Sequence, residues 1–261
     1  MDRMNLGLDG AVALVTGGTR GVGAGITRVL LRAGATVVTC GRTAPESPVA
    51  VGDASAEFRA CDVRDPEAVG ALVEAIVADH GQFDVLVNNA GGAPYALAAE
   101  ASPRFHSKIV ELNLLAPLLL SQAANAVMQR QATGGAIVNI SSVSGHRPSP
   151  GTAAYGAAKA GLDNITTSLA VEWAPKVRVN SIVCGMVRTE QSHLHYGDDA
   201  GIASVAATVP LGRLADPEEI GNCVAFLASP LASYVTGATL AAHGGGERPA
   251  FLAAANVEGN S

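Results

Sequence analysis

Six short runs of apolar and β-branched residues punctuate the chain: AVALVT from Ala11, TVVTC from Thr36, EFRAC from Glu57, FDVLV from Phe83, AIVNIS from Ala136 and VRVNSIV from Val177. Most of the gaps between them are long enough for a helix, and strands that alternate with helices are joined by crossovers into a parallel sheet. Several runs are apolar at successive positions rather than alternate ones, so helices must cover both faces of the sheet. The predicted fold class is therefore α/β, a doubly wound parallel sheet in a three-layer α/β/α sandwich.

The intervening segments 21–33, 65–80, 103–130, 152–174 and 217–228 read as helices. Two begin with strong start signals: DPEAV from Asp65 and DPEEI from Asp216 each supply an N-cap, a proline in the first turn and acids beside the helix dipole. After the second strand, TAPESPVAVGDASA predicts a loop in place of a helix. Residues 186–208 interrupt the rhythm with mixed polarity, and 244–261 form a tail after the last strand. With no repeat and no linker, 261 residues fit a single domain spanning 1–261.

A chain with 48% apolar and 15% charged residues has ample material for a core. Its net charge of −6, without any Lys/Arg cluster, argues against nucleic acid and anionic membranes as partners. MDRMNLGLDG holds no signal-like run, and LNLLAPLLL is too short to span a bilayer, which points to a cytoplasmic protein. Cys40, Cys61, Cys184 and Cys223 are widely spaced with no C-x-x-C pair, the pattern of reduced thiols.

The first strand leads straight into TGGTRGVGAGI. Gly17, Gly21 and Gly23 let the backbone turn sharply, admit a pyrophosphate to a helix N-terminus and allow that helix to pack closely on the sheet. The fold is therefore expected to be of the Rossmann type. Further on, YGAAK places Tyr155 and Lys159 four residues apart, on one face of a helix starting near Thr152. A phenol ordinarily titrates near about 10; a nearby ammonium and a cationic nicotinamide ring would both favour the phenolate and make it an acid–base catalyst.

The G-x-x-x-G-x-G turn, NNAG from Asn88 and the Y-x-x-x-K pair together resemble the short-chain dehydrogenase/reductase family, a likeness that extends over nearly the whole chain. The resemblance implies a catalytic set of Asn113, Ser142, Tyr155 and Lys159, in which the serine orients the reacting oxygen and the lysine holds the nicotinamide ribose. Ser141 is the alternative to Ser142. The Asn113 carbonyl would bind a water of a proton relay, and Pro117, four residues later, has no N–H to occupy it. The implied cofactor contacts are Gly17, Thr19, Arg20, Gly21, Val22, Gly23, Arg42, Asp62, Val63, Asn89, Ala90, Gly91, Tyr155, Lys159, Gly185, Val187 and Thr189. Cys184 stands where the family usually has proline, which puts the geometry of the following loop in question.

At the end of the second strand, NAD enzymes usually place an acid on the adenine ribose. Here Gly41 takes that place and Arg42 follows, so nothing repels a 2′-phosphate, and Arg20 and Arg42 could flank it; both could equally be solvated surface residues. NADP(H) is the predicted cofactor, with NAD(H) possible.

These readings converge on an oxidoreductase interconverting a secondary alcohol and a ketone. The pocket is expected from 92–98, 143–150 and 186–208, whose mainly apolar stretches suit an apolar ketone, a steroid-like ring or a 3-oxoacyl substrate. His193, His195, Tyr196, His146 and Arg147 are candidate substrate contacts, and no metal site is expected. Phe251 and Leu252 suggest a tail that packs on a neighbouring subunit, and the apolar helices 103–130 and 152–174 suggest a homotetramer or homodimer. The alternative is a non-catalytic NADP(H)-binding sensor or scaffold.

Overall fold

The structure is a computed structural model and describes residues 6–254. In chain order its elements are β1 (Val12–Thr16), α1 (Gly21–Arg32), β2 (Thr36–Gly41), β3 (Ala50–Val51), β4 (Ala54–Ser55), β5 (Glu57–Ala60), α2 (Pro66–His80) and β6 (Val85–Asn88). Then come α3 (Pro103–Val110), α4 (Ala116–Met128), β7 (Gly135–Ser142), α5 (Ala153–Trp173), β8 (Val177–Cys184), α6 (Ser192–Tyr196), α7 (Asp199–Thr208), α8 (Pro217–Ala228), β9 (Thr239–Ala242) and α9 (Ala250–Ala254).

Seven strands form one parallel sheet in the order β5-β2-β1-β6-β7-β8-β9. Strand order reverses between β1 and β6, and in such sheets the crevice beyond the strand ends at this point is where ligands bind. Successive residues of a strand serve opposite layers, as two covered faces require. Ala13 and Val15 join the core beneath α1 and α8 with Ile26, Leu30, Ile220 and Val224. Val12 and Leu14 join the core beneath α2, α4 and α5 with Leu72, Ile76, Leu120, Met128 and Ile137.

The helix starts behave as their sequences predict. Asp65 accepts hydrogen bonds from the N–H groups of Glu67 and Ala68 at 3.0 Å and 3.3 Å, the bonds an N-cap makes. At α8 the Glu219 carboxylate accepts from the Asp216 N–H at 2.8 Å, one half of a capping box. The segment after β2 carries only the hairpin β3–β4, in keeping with its prolines and glycine. Helices α1 and α8 cross at small residues: a Cβ on Gly221 would lie 2.8 Å from Val29 Cγ2, and one on Gly25 would overlap the backbone of Pro217.

One expectation is revised and one segment is filled in. Residues 186–208, read only as an interruption of mixed polarity, contain the helices α6 and α7. The helix predicted over 103–130 is interrupted by a π turn at Glu111–Leu115, where the Ala116 N–H reaches the Glu111 carbonyl. The physical reason is Pro117: without an N–H it cannot continue the ladder, and the helix widens by one residue just before it. Taken whole, Pro103–Met128 is long and apolar enough to cross a membrane, far longer than the run LNLLAPLLL. Its Leu120, Ala124 and Met128, however, are buried in the second core.

A buried polar chain crosses that same layer. Asn88 Nδ2 donates to Asn139 Oδ1 (2.8 Å) and Ser121 Oγ (3.0 Å), Asn139 Nδ2 donates to Thr166 Oγ1 (2.9 Å), and Thr166 Oγ1 donates to the Leu162 carbonyl (2.9 Å). All four cysteines are free thiols.

Candidate active site

The turn between β1 and α1 has the geometry its glycines predict. Gly17 and Gly21 have φ of 62° and 52°, a region that side chains rarely enter. A Cβ on Gly23 would run into the Gly17 carbonyl, so the cradle closes only because that atom is missing. Asn89 ties the end of β6 to this turn: its Nδ2 donates to the carbonyls of Thr16 (2.8 Å) and Gly17 (3.2 Å). The N–H groups of Asn89 and Ala90 donate to Thr16 Oγ1.

The start of α1 already holds an anion. The Gly21 N–H donates to Glu190 Oε1 at 3.0 Å, and Arg20, in the N-cap position, adds no side-chain bond of its own. The Gly21 N–H is thus a donor directed at an anion, and a pyrophosphate bound at this helix start would displace the Glu190 oxygen from it. The residues present therefore fit the phosphates of a dinucleotide. Glu190 has no signal in the sequence, because only the fold of the segment after β8 brings it 169 positions back along the chain.

Beyond β2 and β5, Cys61 N–H donates to the Gly41 carbonyl, which sets Asp62 and Val63 at the strand ends. Asp62 is gripped by Arg64, Nε to Oδ1 at 2.9 Å and Nη2 to Oδ2 at 2.6 Å. These bonds, with a smaller contribution from the Arg42 charge, hold the carboxyl down at about 2. Arg20 and Arg42 are exposed, and neither has a hydrogen-bonded side-chain partner among the described residues.

Tyr155 and Lys159 lie one turn apart on α5, with the Lys159 amine 5.6 Å from the centre of the phenol ring. Lys159 is buried and donates to the Ile140 carbonyl at 2.7 Å. Burial pushes its amine down to about 8, against the raising pull of Cys184 and Asp163. The expected lowering of Tyr155 by the ammonium is not found. Burial around its hydroxyl pushes the phenol up to about 12, although the ring itself keeps some access to solvent. A hydrogen bond with Ser142 draws it part of the way down, while Cys184 and Tyr196 push it up. Ser142 Oγ also accepts from the Ser144 N–H at 3.2 Å. Ser141 instead turns to the other side, donating to Asp163 Oδ2 at 2.8 Å.

Asn113 sits in the π turn, wholly buried. Its amide clasps the loop after β6: Oδ1 accepts from the Gly92 N–H (2.8 Å) and Nδ2 donates to the Gly92 carbonyl (3.0 Å) and the Ile109 carbonyl (2.9 Å). With the side chain so committed, its main-chain carbonyl is the group left facing a residue without an N–H, Pro117. A Cβ on Gly91 would lie 2.7 Å from Asn113 Oδ1 and 3.5 Å from Lys159 Nζ, which shows how closely these three residues meet.

Cys184 does not spoil the loop that follows it. Gly185 N–H bonds the Ala242 carbonyl, Val187 forms a bridge with Ala215, and Thr189 comes up to Gly21. Of the candidate substrate contacts, Tyr196 is brought near Tyr155 and also feels Arg147 and Glu247. Arg147 pairs with Glu247 of the tail at 2.6 Å. His193 and His195 are exposed, and His146 turns to Asp163 instead. Among the described residues no group of three side chains is set to hold a metal. The tail leans on its own chain through Arg248 N–H to Thr208, with Phe251 exposed; residues 255–261 of the predicted tail lie outside the described residues.

A family model described as enoyl-(acyl carrier protein) reductase matches residues 17–247. The chain is 39% identical over 246 residues to the 3-oxoacyl-[acyl-carrier-protein] reductase FabG of Vibrio cholerae, covering 92% of this chain and 98% of that protein. It is 40% identical over 242 residues to the cis-4-hydroxycyclohexanecarboxylate dehydrogenase of Sinomonas cyclohexanicum, covering 90% of this chain and 95% of that protein. The solved structure of the aldohexose dehydrogenase of Thermoplasma acidophilum superposes with a TM-score of 0.84 at 31% identity, covering 91% of this chain and 94% of that one.

Proposed function

Because the chain belongs to the short-chain dehydrogenase/reductase family, we propose that it is an NADP(H)-dependent oxidoreductase that interconverts a secondary alcohol and a ketone, with Tyr155 as acid–base. When bound, the nicotinamide supplies or accepts the hydride. Tyr155 gives its proton to the carbonyl oxygen during reduction and takes it back during oxidation. Ser142 orients that oxygen, Lys159 supports the phenol and holds the nicotinamide ribose, and Asn113 keeps the water that reconnects Lys159 with solvent. The observation that supports this reading is that Tyr155 has Lys159 over its ring and Ser142 on its hydroxyl, while the loop after β6 that meets Lys159 at Gly91 also meets the glycine turn at Ala90.

The phenol, held at about 12, is fully protonated at neutral pH, the state a proton donor needs. Ketone reduction is therefore expected to show no loss of rate from Tyr155 ionisation between neutral pH and mildly alkaline pH. Alcohol oxidation, which consumes the phenolate, should accelerate as pH rises; matched pH profiles in the two directions measure the asymmetry.

For the substrate, the relatives act on 3-oxoacyl groups and on a cyclic hydroxy acid. Together with the mainly apolar stretches GGAPYAL and GIASVAATV, this supports an apolar or cyclic ketone, steroid-like rings included, or a 3-oxoacyl group. Exposed Val171, Leu231 and Tyr234, with the free edge of β9 among the described residues, support a homotetramer or homodimer.

The choice of NADP(H) rests on the exposed Arg42 and Arg20 at the adenine end, with Gly41 where an acid would exclude a 2′-phosphate. Arg42→Asp is expected to cost roughly 2 kcal/mol of NADPH affinity, about 30-fold, while NADH binding holds or improves. Fluorescence titration of both cofactors checks this, and unchanged NADPH affinity would refute the assignment. Tight NADPH binding without turnover of any ketone or 3-oxoacyl thioester would refute the enzyme.

A further inference from the structure

One turn beyond Lys159 on α5 lies a second carboxylate that the reaction above does not use. Asp163 is buried, and its Oδ2 is held from two sides, by the Ser141 hydroxyl at 2.8 Å and by His146 Nε2 at 2.9 Å. Its Oδ1 is buried with no hydrogen-bond partner among the described residues. The Ser141 hydroxyl also lies 3.4 Å from the Lys159 carbonyl, so the same side chain braces the carboxylate and the turn that carries the lysine. A buried carboxylate left half-satisfied is costly unless a nearby cation offsets it. His146 meets it directly, and Lys159, four residues before it on the same helical face, is the buried cation that feels its charge without a direct ion pair.

We propose that Asp163 is a positioning residue of the active site: its carboxylate, clamped between Ser141 and His146, is the fixed negative charge that keeps the buried Lys159 amine protonated. This rests on the reading of Tyr155 and Lys159 given above. The low value of the Lys159 amine, about 8, shows that its ammonium form is already strained by burial, and the Asp163 charge opposes that strain. Without it the amine would lose its proton close to neutral pH. A neutral lysine neither favours the phenolate nor takes part in returning a proton to Tyr155.

Other charged groups do not take over this role. From β8 the titratable neighbour is Cys184, a thiol that burial raises to about 12. From α5 itself Tyr155 is neutral at working pH. The elements packed on α5 from the other side carry Arg104, His106, Lys108 and Glu111. None of these bonds to Asp163 or Lys159, and Glu111 acts on Arg64. His146, from the turn after β7, meets Asp163 directly with about half of its side chain exposed, so it is the link from the carboxylate to solvent.

The test is Asp163→Asn, read in two ways. Selective nitrogen-15 lysine NMR follows the titration of the Lys159 amine, assigned by its disappearance in Lys159→Met. The midpoint is expected to fall by about one pH unit in the variant. The pH profile of kcat for ketone reduction is expected to lose its alkaline side about one unit earlier, so that the variant is near the parent at about pH 6 and roughly fivefold slower at about pH 8. Asp163→Glu, which restores the charge, should recover most of the midpoint. Ser141→Ala and His146→Gln disturb the clamp but leave the charge, and should leave the midpoint where it is; if Asp163→Asn does not fold, Asp163→Ser, smaller and equally uncharged, gives the same readout. An unmoved Lys159 midpoint in Asp163→Asn, an equal loss of rate at every pH, or a midpoint that falls in Ser141→Ala and His146→Gln would overturn the proposal. Failure of the parent protein to turn over would count against the enzymatic reading, while the NMR midpoint would still decide the role of Asp163.

Discussion

Tyr155→Phe is expected to lower kcat for ketone reduction by roughly 10²–10⁴-fold, the range that a positioned proton donor contributes. The ring it leaves behind still fills the same space, and the Lys159 amine still has the Ile140 carbonyl, so the fold and the cofactor cradle should survive. What disappears is the hydroxyl that Ser142 addresses and that burial keeps protonated. NADPH affinity measured by fluorescence titration should change by less than about threefold, since the pyrophosphate turn and the adenine end are untouched. A variant that loses binding and turnover together would show that the phenol is structural. Retention of more than about a tenth of the parent rate would move proton donation elsewhere, with Tyr196, the next phenol in the crevice, as the first alternative.

The second large effect concerns stability. At the α1–α8 crossing a methyl on Gly25 has nowhere to go, because Pro217 offers backbone rather than the end of a flexible side chain. Gly25→Ala is therefore expected to destabilise by about 2–3 kcal/mol, even though alanine in place of glycine ordinarily favours a helix by about 1 kcal/mol. Gly70, in α2, is the control, since a Cβ there meets nothing. Gly70→Ala should stabilise by roughly 0.5–1 kcal/mol. Urea unfolding at one fixed protein concentration measures both, so that any assembly affects them alike. Gly25→Ala as stable as the parent would mean that the two helices can separate cheaply.

The parallel sheet was legible because its strands are apolar on both faces, and the two proline-started helices because their caps are local. The tyrosine, lysine and serine proposed to be catalytic could be named together because a helix fixes i to i+4, and a strand end fixes the residue that follows it. What escaped had no local signal. The π turn depends on how Pro117 and Asn113 share one ladder, and α6 and α7 form in a segment of mixed polarity that shows neither period. Glu190, Arg64 and Asp163 acquire meaning only from partners that the fold brings to them. The height of the Tyr155 value was illegible for a related reason: pairing with a cation can be read from spacing, whereas burial of a hydroxyl is a property of the whole surround.

The chain of amides and hydroxyls from Asn88 through Asn139 to Thr166 bears on how the sheet finds its alignment. In a half-exposed strand, a slip by one residue turns oily side chains to water and is rejected at once. Strands β6 and β7 are covered on both faces, so a slipped Val or Ile would simply find another oily wall. Asn88 and Asn139, directly opposite each other in the ladder, remove that degeneracy. Displacing one strand by a single step would strand both amides in a dry interior at roughly 1–3 kcal/mol for each group left unbonded. A few polar atoms thus act as alignment pins for strands whose apolar residues would accept more than one answer.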